Sequence, residues 1–555
     1  MRAGAGAGLL ALPGGMQEFP LTLAHVLDRT RTVHHRSQVV TLVDADGGRT
    51  RASFAEVADR ADRLAAALAR LGIRPGDRVA TFAWNTQHHL EAYFAIPCMG
   101  AVLQTLNLRL FAEQVAYTAN HAEARLIILD ESLVPQMEAI APLLETVEHF
   151  VVVGDGDTGT LPNVLRYEEL IGAEEPGYAY PVLDERSAAA LCYTSGTTGN
   201  PKGVLYSQRS LTVHAMAMAA HDTFRVANED RVLTIVPMFH AMGWNLPYVA
   251  GLIGADLVMP NRFLQSPHLA RLIGEERVTY TAGVPTIFMD LLRYAEQHEA
   301  DLSALKIAVC GGTQVPPVLM REFDRRHGVA VTQGWGMTEC LPGASMAHDP
   351  PGAGEQERWA HRELAGRISA FYEIRIVGDD GEALPWDGET TGEVELRGPC
   401  VASGYYRDPE ATREKMHDGW LRTGDVGSID SEGWLRITDR AKDVIKSGGE
   451  WISSVDLESA LMAHPAVREA AVIARPDPRW SERPLACVVA DRDVTADELR
   501  EFLAERVAKW WLPDDFAFIA EIPKTSVGKF DKKVLRTELE DGRLPVVGVR
   551  GATAG

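Results

Sequence analysis

The chain has 555 residues, of which 46% are apolar and 24% charged, and its formal charge is −22. Those fractions are ordinary for a globular protein and point to neither disorder nor a fibrous repeat; at about 150 residues per domain the length suits three or four folding units. The acidic balance argues against non-specific nucleic-acid binding, which needs clustered Lys and Arg against phosphates, so an anionic ligand must meet a local basic site.

In chain order, residues 1–15 hold one Arg and a short apolar run at 9–12. That is too short for a signal-peptide core, so a disordered start is expected over 1–18. Ser53-Phe54-Ala55-Glu56 has capping-box spacing and opens a helical pattern through Val57, Leu64, Leu68 and Leu71, which Gly72 and Pro75 stop. Apolar runs at 78–82, 126–129, 150–153, 232–236 and 307–310 read as strands with helical stretches between them, which means α/β with largely buried sheets. Residues 378–398 are rich in Asp, Gly and Glu with alternation at 393–397, and predict a β-rich subdomain over about 378–441. The charged stretch 439–443 then marks a boundary. The expected organisation is a large domain over 19–441, a small α+β domain over 442–540, and a Gly-rich tail over 541–555 that frays. No apolar run reaches the roughly 18 residues of a membrane span, so a soluble protein is expected. Cys98, Cys192, Cys310, Cys340, Cys400 and Cys487 form no C-x-x-C pair and read as core thiols in a reduced, cytoplasmic compartment.

Tyr193-Thr194-Ser195-Gly196-Thr197-Thr198-Gly199-Asn200-Pro201-Lys202-Gly203-Val204 follows the apolar run 188–192. Its glycines allow backbone N–H groups to approach phosphate oxygens, and its hydroxyls and Lys202 add donors and charge. The Walker spacing, a Gly-Lys pair followed by Ser or Thr, is absent. By itself the loop is read evenly as a polyphosphate cradle or as a mobile surface turn.

Five further segments occur in order: Val236-Pro237-Met238-Phe239-His240; Gln333-Gly334-Trp335-Gly336-Met337-Thr338-Glu339; Gly419-Trp420-Leu421-Arg422-Thr423-Gly424-Asp425; DRAKDVIKSGGE at 439–450; and PKTSVGK at 523–529. Together with the loop they resemble the adenylate-forming superfamily of acyl-CoA synthetases, luciferases and peptide-synthetase adenylation domains, over about 19–536. Ser447-Gly448-Gly449-Glu450-Trp451-Ile452-Ser453-Ser454 and the stretch 527–533 are most similar to medium- and long-chain fatty acyl-CoA synthetases. The resemblance implies a large N-terminal domain of stacked α/β sheets with a β-rich subdomain and a small, mobile α+β C-terminal domain. It implies ATP, Mg²⁺ and CoA as cofactors and co-substrates, a carboxylic acid as substrate, no nucleic acid, and a homodimer by analogy with long-chain relatives. The implied reaction forms an acyl-adenylate with release of pyrophosphate, then a thioester with release of AMP.

By the same resemblance Lys529 supplies the cation between carboxylate and α-phosphate, whose mutual repulsion otherwise slows attack. Thr338 bonds the α-phosphate, and Glu339 and Thr194 hold Mg²⁺ through hard oxygens. Ser195, Gly196, Thr197, Thr198, Gly199 and Lys202 cradle the phosphates. Trp335 stands where relatives commonly carry Tyr against adenine; Gly334, Gly336, Gly312 and Thr313 line the nucleotide pocket, Asp425 accepts the ribose hydroxyls and Arg440 steadies that sugar. Gly311, His240 and Trp244 border the acyl pocket. His240 is more readily a packed core residue than a general base, and Trp244 reads equally as a gate or as an ordinary core Trp. Lys442 is the implied hinge, which brings Lys446, Gly448, Gly449 and Trp451 toward CoA for the second step.

Three functions stand beside one another: a medium- or long-chain acyl-CoA synthetase, an adenylating ligase with a carrier thiol or amine as acceptor, and a non-catalytic nucleotide-binding paralogue. Lys529, Glu339 and Asp425 disfavour the third. No carrier domain follows Arg536 in this sequence, which leaves a free acceptor.

Overall fold

The computed structural model describes residues 15–194, 200–440, 443, 445–447, 450–525 and 529–549. The expected disordered start therefore lies mostly outside the described residues. Two large sheets and a third, smaller one organise the chain.

The first sheet has the order Val164–Arg166, His149–Val153, Ala124–Asp130, Arg78–Phe82, Val102–Thr105, Ala188–Tyr193, Gly203–Ser207. All neighbours are parallel except the last pair, which is antiparallel. Its central strands are buried along most of their length, as in a sheet covered on both faces. One cover is the helix Phe54–Arg70, which buries Phe54, Val57, Ala61, Leu64 and Leu68 on one stripe. The capping box is formed: the Glu56 N–H donates to Ser53 Oγ at 3.2 Å and the Ser53 N–H to Glu56 Oε2 at 2.7 Å. Each of these larger apolar side chains contributes about 1.5–3 kcal/mol on leaving water.

The second sheet has 14 strands. Its parallel part contains Gln38–Leu42, Asp256–Met259, Arg231–Thr234, Tyr280–Gly283, Ile307–Gly311 and Ala330–Trp335. Through Ser345–Met346 and Gly366–Ile368 it passes without a break into antiparallel strands Trp434–Arg440, Trp420–Ile429, Gly392–Arg397 and Glu373–Val377. The β-rich part is thus continuous with the α/β sheet, and its first strand begins before residue 378.

The run at 232–236 leaves the ladder after Thr234, because Pro237 has no N–H and pushes the preceding residue off regular pairing. Asn85 replaces the lost partners. Its amide donates to Thr234 O at 2.7 Å and Val236 O at 2.8 Å and accepts the Met238 N–H at 2.8 Å, tying this corner to the first sheet.

The C-terminal part has its own sheet, centred on the hairpin of Val467–Asp477 and Ser481–Ala490, and its own apolar clusters. Here the expectation of a frayed tail over 541–555 is corrected for its first half. Val546–Gly548 pairs antiparallel with Asp515–Phe518, because Leu544 buries its side chain and the backbone completes an open sheet edge. Residues 550–555 lie outside the described residues. Among those described, no helix is long and apolar enough to cross a membrane, and all six cysteines are buried and free.

Candidate functional site

The carboxyl ends of the parallel strands converge on one crevice, the place where α/β sheets bind ligands. Ile307–Gly311 and Ala330–Trp335 pair with Gly311 opposite Gly334. A Cβ on Gly311 would stand 2.6 Å from Gly334 O and 3.3 Å from Trp244 Cη2, so both the strand and the indole demand glycine there. Gly312 follows at φ +90, and a Cβ on it would meet Lys529 Cε at 3.2 Å. Thr313 is exposed just beyond.

Lys529 reaches this crevice from the C-terminal part. A short turn holds it: its N–H donates to Thr525 Oγ1 at 3.2 Å, and the Thr525 N–H donates to Lys529 O at 2.7 Å. Lys524 pins the same turn through Glu469 at 2.7 Å. Burial first and then Arg440 lower the Lys529 ammonium, against the opposing carboxylates of Asp425 and Glu339, to about 8. A nitrogen lying in the fields of all these groups is central to the cluster.

Thr338 and Glu339 sit on the short turn Thr338–Cys340, both buried. Glu339 Oε1 accepts the Tyr405 hydroxyl at 2.6 Å, and the Lys202 ammonium lies 5.3 Å from the Tyr405 ring centroid. The Tyr206 hydroxyl donates to Thr338 O at 2.6 Å, fastening this turn to the strand that leaves the Gly-rich loop. At the mouth of that loop the Thr194 N–H donates to Lys202 O at 2.9 Å and the Lys202 N–H to Thr194 Oγ1 at 3.2 Å. Ser195, Gly196, Thr197, Thr198 and Gly199 themselves lie outside the described residues. The donor set fits Mg²⁺. A carboxylate and a hydroxyl are hard oxygens, and this ion is commonly held by one or two protein groups with phosphates completing the shell.

Asp425 and Arg440 are cross-strand partners, with Arg440 Nε 3.4 Å from Asp425 Oδ1. Trp335 ends its strand beside them, and its indole N–H donates to Asp425 Oδ2 at 2.8 Å. Gly336 follows against the backbone of Pro342 and Gly343.

His240 closes the Pro-Met-Phe-His run at the same crevice. Burial, with the charges of Lys529 and Arg109 acting in the same sense, lowers its imidazole to about 3. The ring is therefore neutral near pH 7 and a poor proton acceptor, which suits a packing role. After it comes an unusual backbone. Ala241, Met242, Gly243, Trp244 and Asn245 all have positive φ, forming a short left-handed turn. L-residues pay roughly 1–2 kcal/mol each for that conformation. The turn lays the buried Trp244 against Gly311 and edge-on to Phe224, with ring centroids 6.4 Å apart.

Lys446 is not brought to this cluster. It is exposed on the strand Ile445–Ser447, its N–H donates to Glu482 Oε2 at 2.7 Å, and no described contact joins it to Lys529. Lys442, Gly448 and Gly449 lie outside the described residues, as does the side chain of Trp451. Sequence reasoning missed Tyr405, Asn85 and Arg109. Tyr405 and Glu339 are 66 positions apart, and Asn85 and Val236 are 151 apart, so no local pattern signals either pair.

Comparison with known proteins gives the family. The AMP-binding enzyme model matches residues 29–406, and the AMP-binding enzyme C-terminal domain model matches 456–529. A long-chain-fatty-acid–CoA ligase of Thermus thermophilus is 44% identical over 537 residues, covering 96% of this chain and 98% of the relative. A medium-chain-fatty-acid–CoA ligase of Ectopseudomonas oleovorans is 40% identical, covering 95% and 98%. Among solved structures, the anthranilate CoA ligase AuaEII in complex with anthranoyl-AMP superposes with a TM-score of 0.86 at 26% identity, covering 95% of this chain and 99% of that one. With both domain models matched in order and relatives aligned end to end, the chain belongs to the AMP-binding enzyme family and is an adenylate-forming acyl-CoA synthetase.

Proposed function

We propose that this enzyme activates a medium- or long-chain fatty acid, first to its acyl-adenylate and then to its CoA thioester. The carrying observation for the first step is the half-buried Lys529 ammonium against Gly312, within the fields of Glu339, Asp425 and Arg440. Acid and triphosphate are both anions, and a preorganised cation between them lowers the barrier because charge accumulates there during attack. Thr338 bonds the α-phosphate. Asp425 and Arg440 hold the ribose, Trp335 offers its face to the base, and Lys202 and the loop after Thr194 meet the outer phosphates. Mg²⁺ held by Glu339 and Thr194 would neutralise phosphate charge. For transfer to CoA, Lys442 acts as the pivot that turns Lys446 and the residues around Gly448 toward the crevice.

For the acyl side the support is the apolar wall of Trp244, Phe224, Met238 and Met346 beyond Gly311, together with the names of the relatives. The test is pyrophosphate release across straight-chain acids of increasing length and across aromatic acids, with and without CoA, products being identified by mass. Rates peaking on medium or long chains with CoA-dependent thioester are expected; a peak on short or aromatic acids removes the substrate assignment. Trp244→Ala should raise KM for the longest acids several-fold. An unchanged chain-length profile removes the gate.

A further inference from the structure

Trp335 has two surfaces with different tasks. Its face is the surface proposed to meet the base, while its edge carries a donor-only N–H that points in the ring plane to Asp425 Oδ2, 2.8 Å away. Because the bond leaves from the edge, stacking on the face and donation to Asp425 are compatible. On the other side of that carboxylate, Arg440 Nε stands 3.4 Å from Oδ1, and the Asp425 N–H donates to Thr423 Oγ1 at 3.1 Å. Thr423 is fastened in turn to Val394 O at 2.7 Å. The backbone of Asp425 is thus fixed by Thr423, and the indole and the guanidinium hold the two oxygens of its side chain.

We infer that Trp335 is a positioning residue for the ribose: its indole N–H fixes the plane of the Asp425 carboxylate, so that recognition of the base and of the sugar hydroxyls is coupled through one side chain. The inference rests on the assignment of Asp425 to the ribose proposed above. A carboxylate has about four lone-pair directions, so it can accept the indole and still take two hydroxyls, but only with its plane set. A Phe at 335 keeps an aromatic face and removes the bond. The carboxylate then turns, and discrimination by the sugar hydroxyls is lost while stacking remains.

The experiment compares ATP with 2′-deoxy-ATP and 3′-deoxy-ATP in pyrophosphate release by the full-length enzyme. Weaker stacking weakens all three nucleotides alike, so the ratio of kcat/KM values isolates the sugar. The intact enzyme should favour ATP over at least one deoxy analogue. In Trp335→Phe that preference should shrink roughly tenfold, the size of one hydrogen bond to a charged group, with KM for the acid unchanged. Trp335→Leu, which has no donor, serves as the second variant should the first fold poorly, its lost stacking cancelling in the ratio. Preference kept at its original size in a folded variant overturns the inference. Asp425→Ala separates the two levels. If it abolishes the preference while Trp335→Phe and Trp335→Leu keep it, the ribose assignment stands and the coupling falls. If the intact enzyme shows no preference, or Asp425→Ala keeps it, both fall.

Discussion

The nucleotide side of the crevice and the turn that carries Lys529 are built by opposite means. On the nucleotide side, Gly311 faces Gly334 and Asp425 faces Arg440 across sheet ladders, so displacing one residue breaks backbone pairing. Lys529 is closed off by Thr525 outside any strand, in a part of the chain that has its own sheet and apolar clusters. The proposed nucleotide pocket is made of strand ends, whereas the proposed charge-screening Lys529 is held by side-chain and backbone bonds to Thr525.

The sharpest way to break that comparison is Lys529→Ala. Pyrophosphate release should fall by about 10³-fold, near the upper end for losing a preorganised electrostatic group. Transfer to CoA from a supplied acyl-adenylate should stay within a few-fold. Equal losses in both halves would mean that the turn also shapes the second step. The melting temperature should not fall and should rise slightly, because the variant removes a charge that burial disfavours.

The second test is pH. With its ammonium lowered to about 8, Lys529 is charged below that value and neutral above it. kcat/KM for ATP, which reports the free enzyme, should fall about tenfold per pH unit above that point. Lys529→Arg keeps its charge through this range and should flatten the fall even at lower activity. Stability runs the other way. Between about 8 and the ordinary 10.5 the unfolded chain holds a proton that the folded site has released, so this group's contribution to the unfolding free energy rises with pH across that window. Urea midpoints at pH 8, 9 and 10 on the Lys529→Arg variant and its parent separate this group from other titrations.

Tyr405 tests the fixed side. Its hydroxyl donates to Glu339 at 2.6 Å and its ring lies under Lys202, so it links the residues proposed for metal and for phosphate. Tyr405→Phe leaves the ring and removes the donor. kcat/KM for ATP should drop roughly tenfold, as expected for a bond to a charged group, and the magnesium concentration for half-maximal rate should rise. Unchanged magnesium dependence would detach Tyr405 from the ion.

These contacts also mark what was legible beforehand. The capping box at Ser53, the apolar strands and the glycines after Cys310 were readable because each is a local pattern with one physical cause. The Gly-rich loop and the Pro-Met-Phe-His run each follow a strand, after Tyr193 and Thr234, whereas Asp425 lies within Trp420–Ile429. Tyr405 was not readable: Ser403-Gly404-Tyr405-Tyr406 looks like a turn, and its value comes from folding onto a residue 66 positions away. The ordered edge at 546–548 was hidden for a related reason, because the Gly-rich ending outweighs two valines until the open edge of 515–518 is known to lie beside them.

The left-handed turn after His240 offers the smallest effect and the cleanest control. Four of its five residues carry side chains at positive φ, a strain that persists only where surroundings over-determine it, as at functional sites. Gly243 is the one position without that cost, at φ +60, and a Cβ there would stand 3.3 Å from Met238 Cα. Gly243→Ala should therefore lower stability by about 1–2 kcal/mol from the conformation alone, with a further fraction from crowding against backbone. Gly328 has φ +66 with nothing within 4 Å of an added methyl, so Gly328→Ala carries the conformational part only. The difference between the two urea midpoints measures how tightly Met238 is held. If Gly243→Ala costs no more than Gly328→Ala, the corner tied down by Asn85 yields to the methyl, and the rigidity ascribed to the fixed side of the crevice does not extend to its acyl wall.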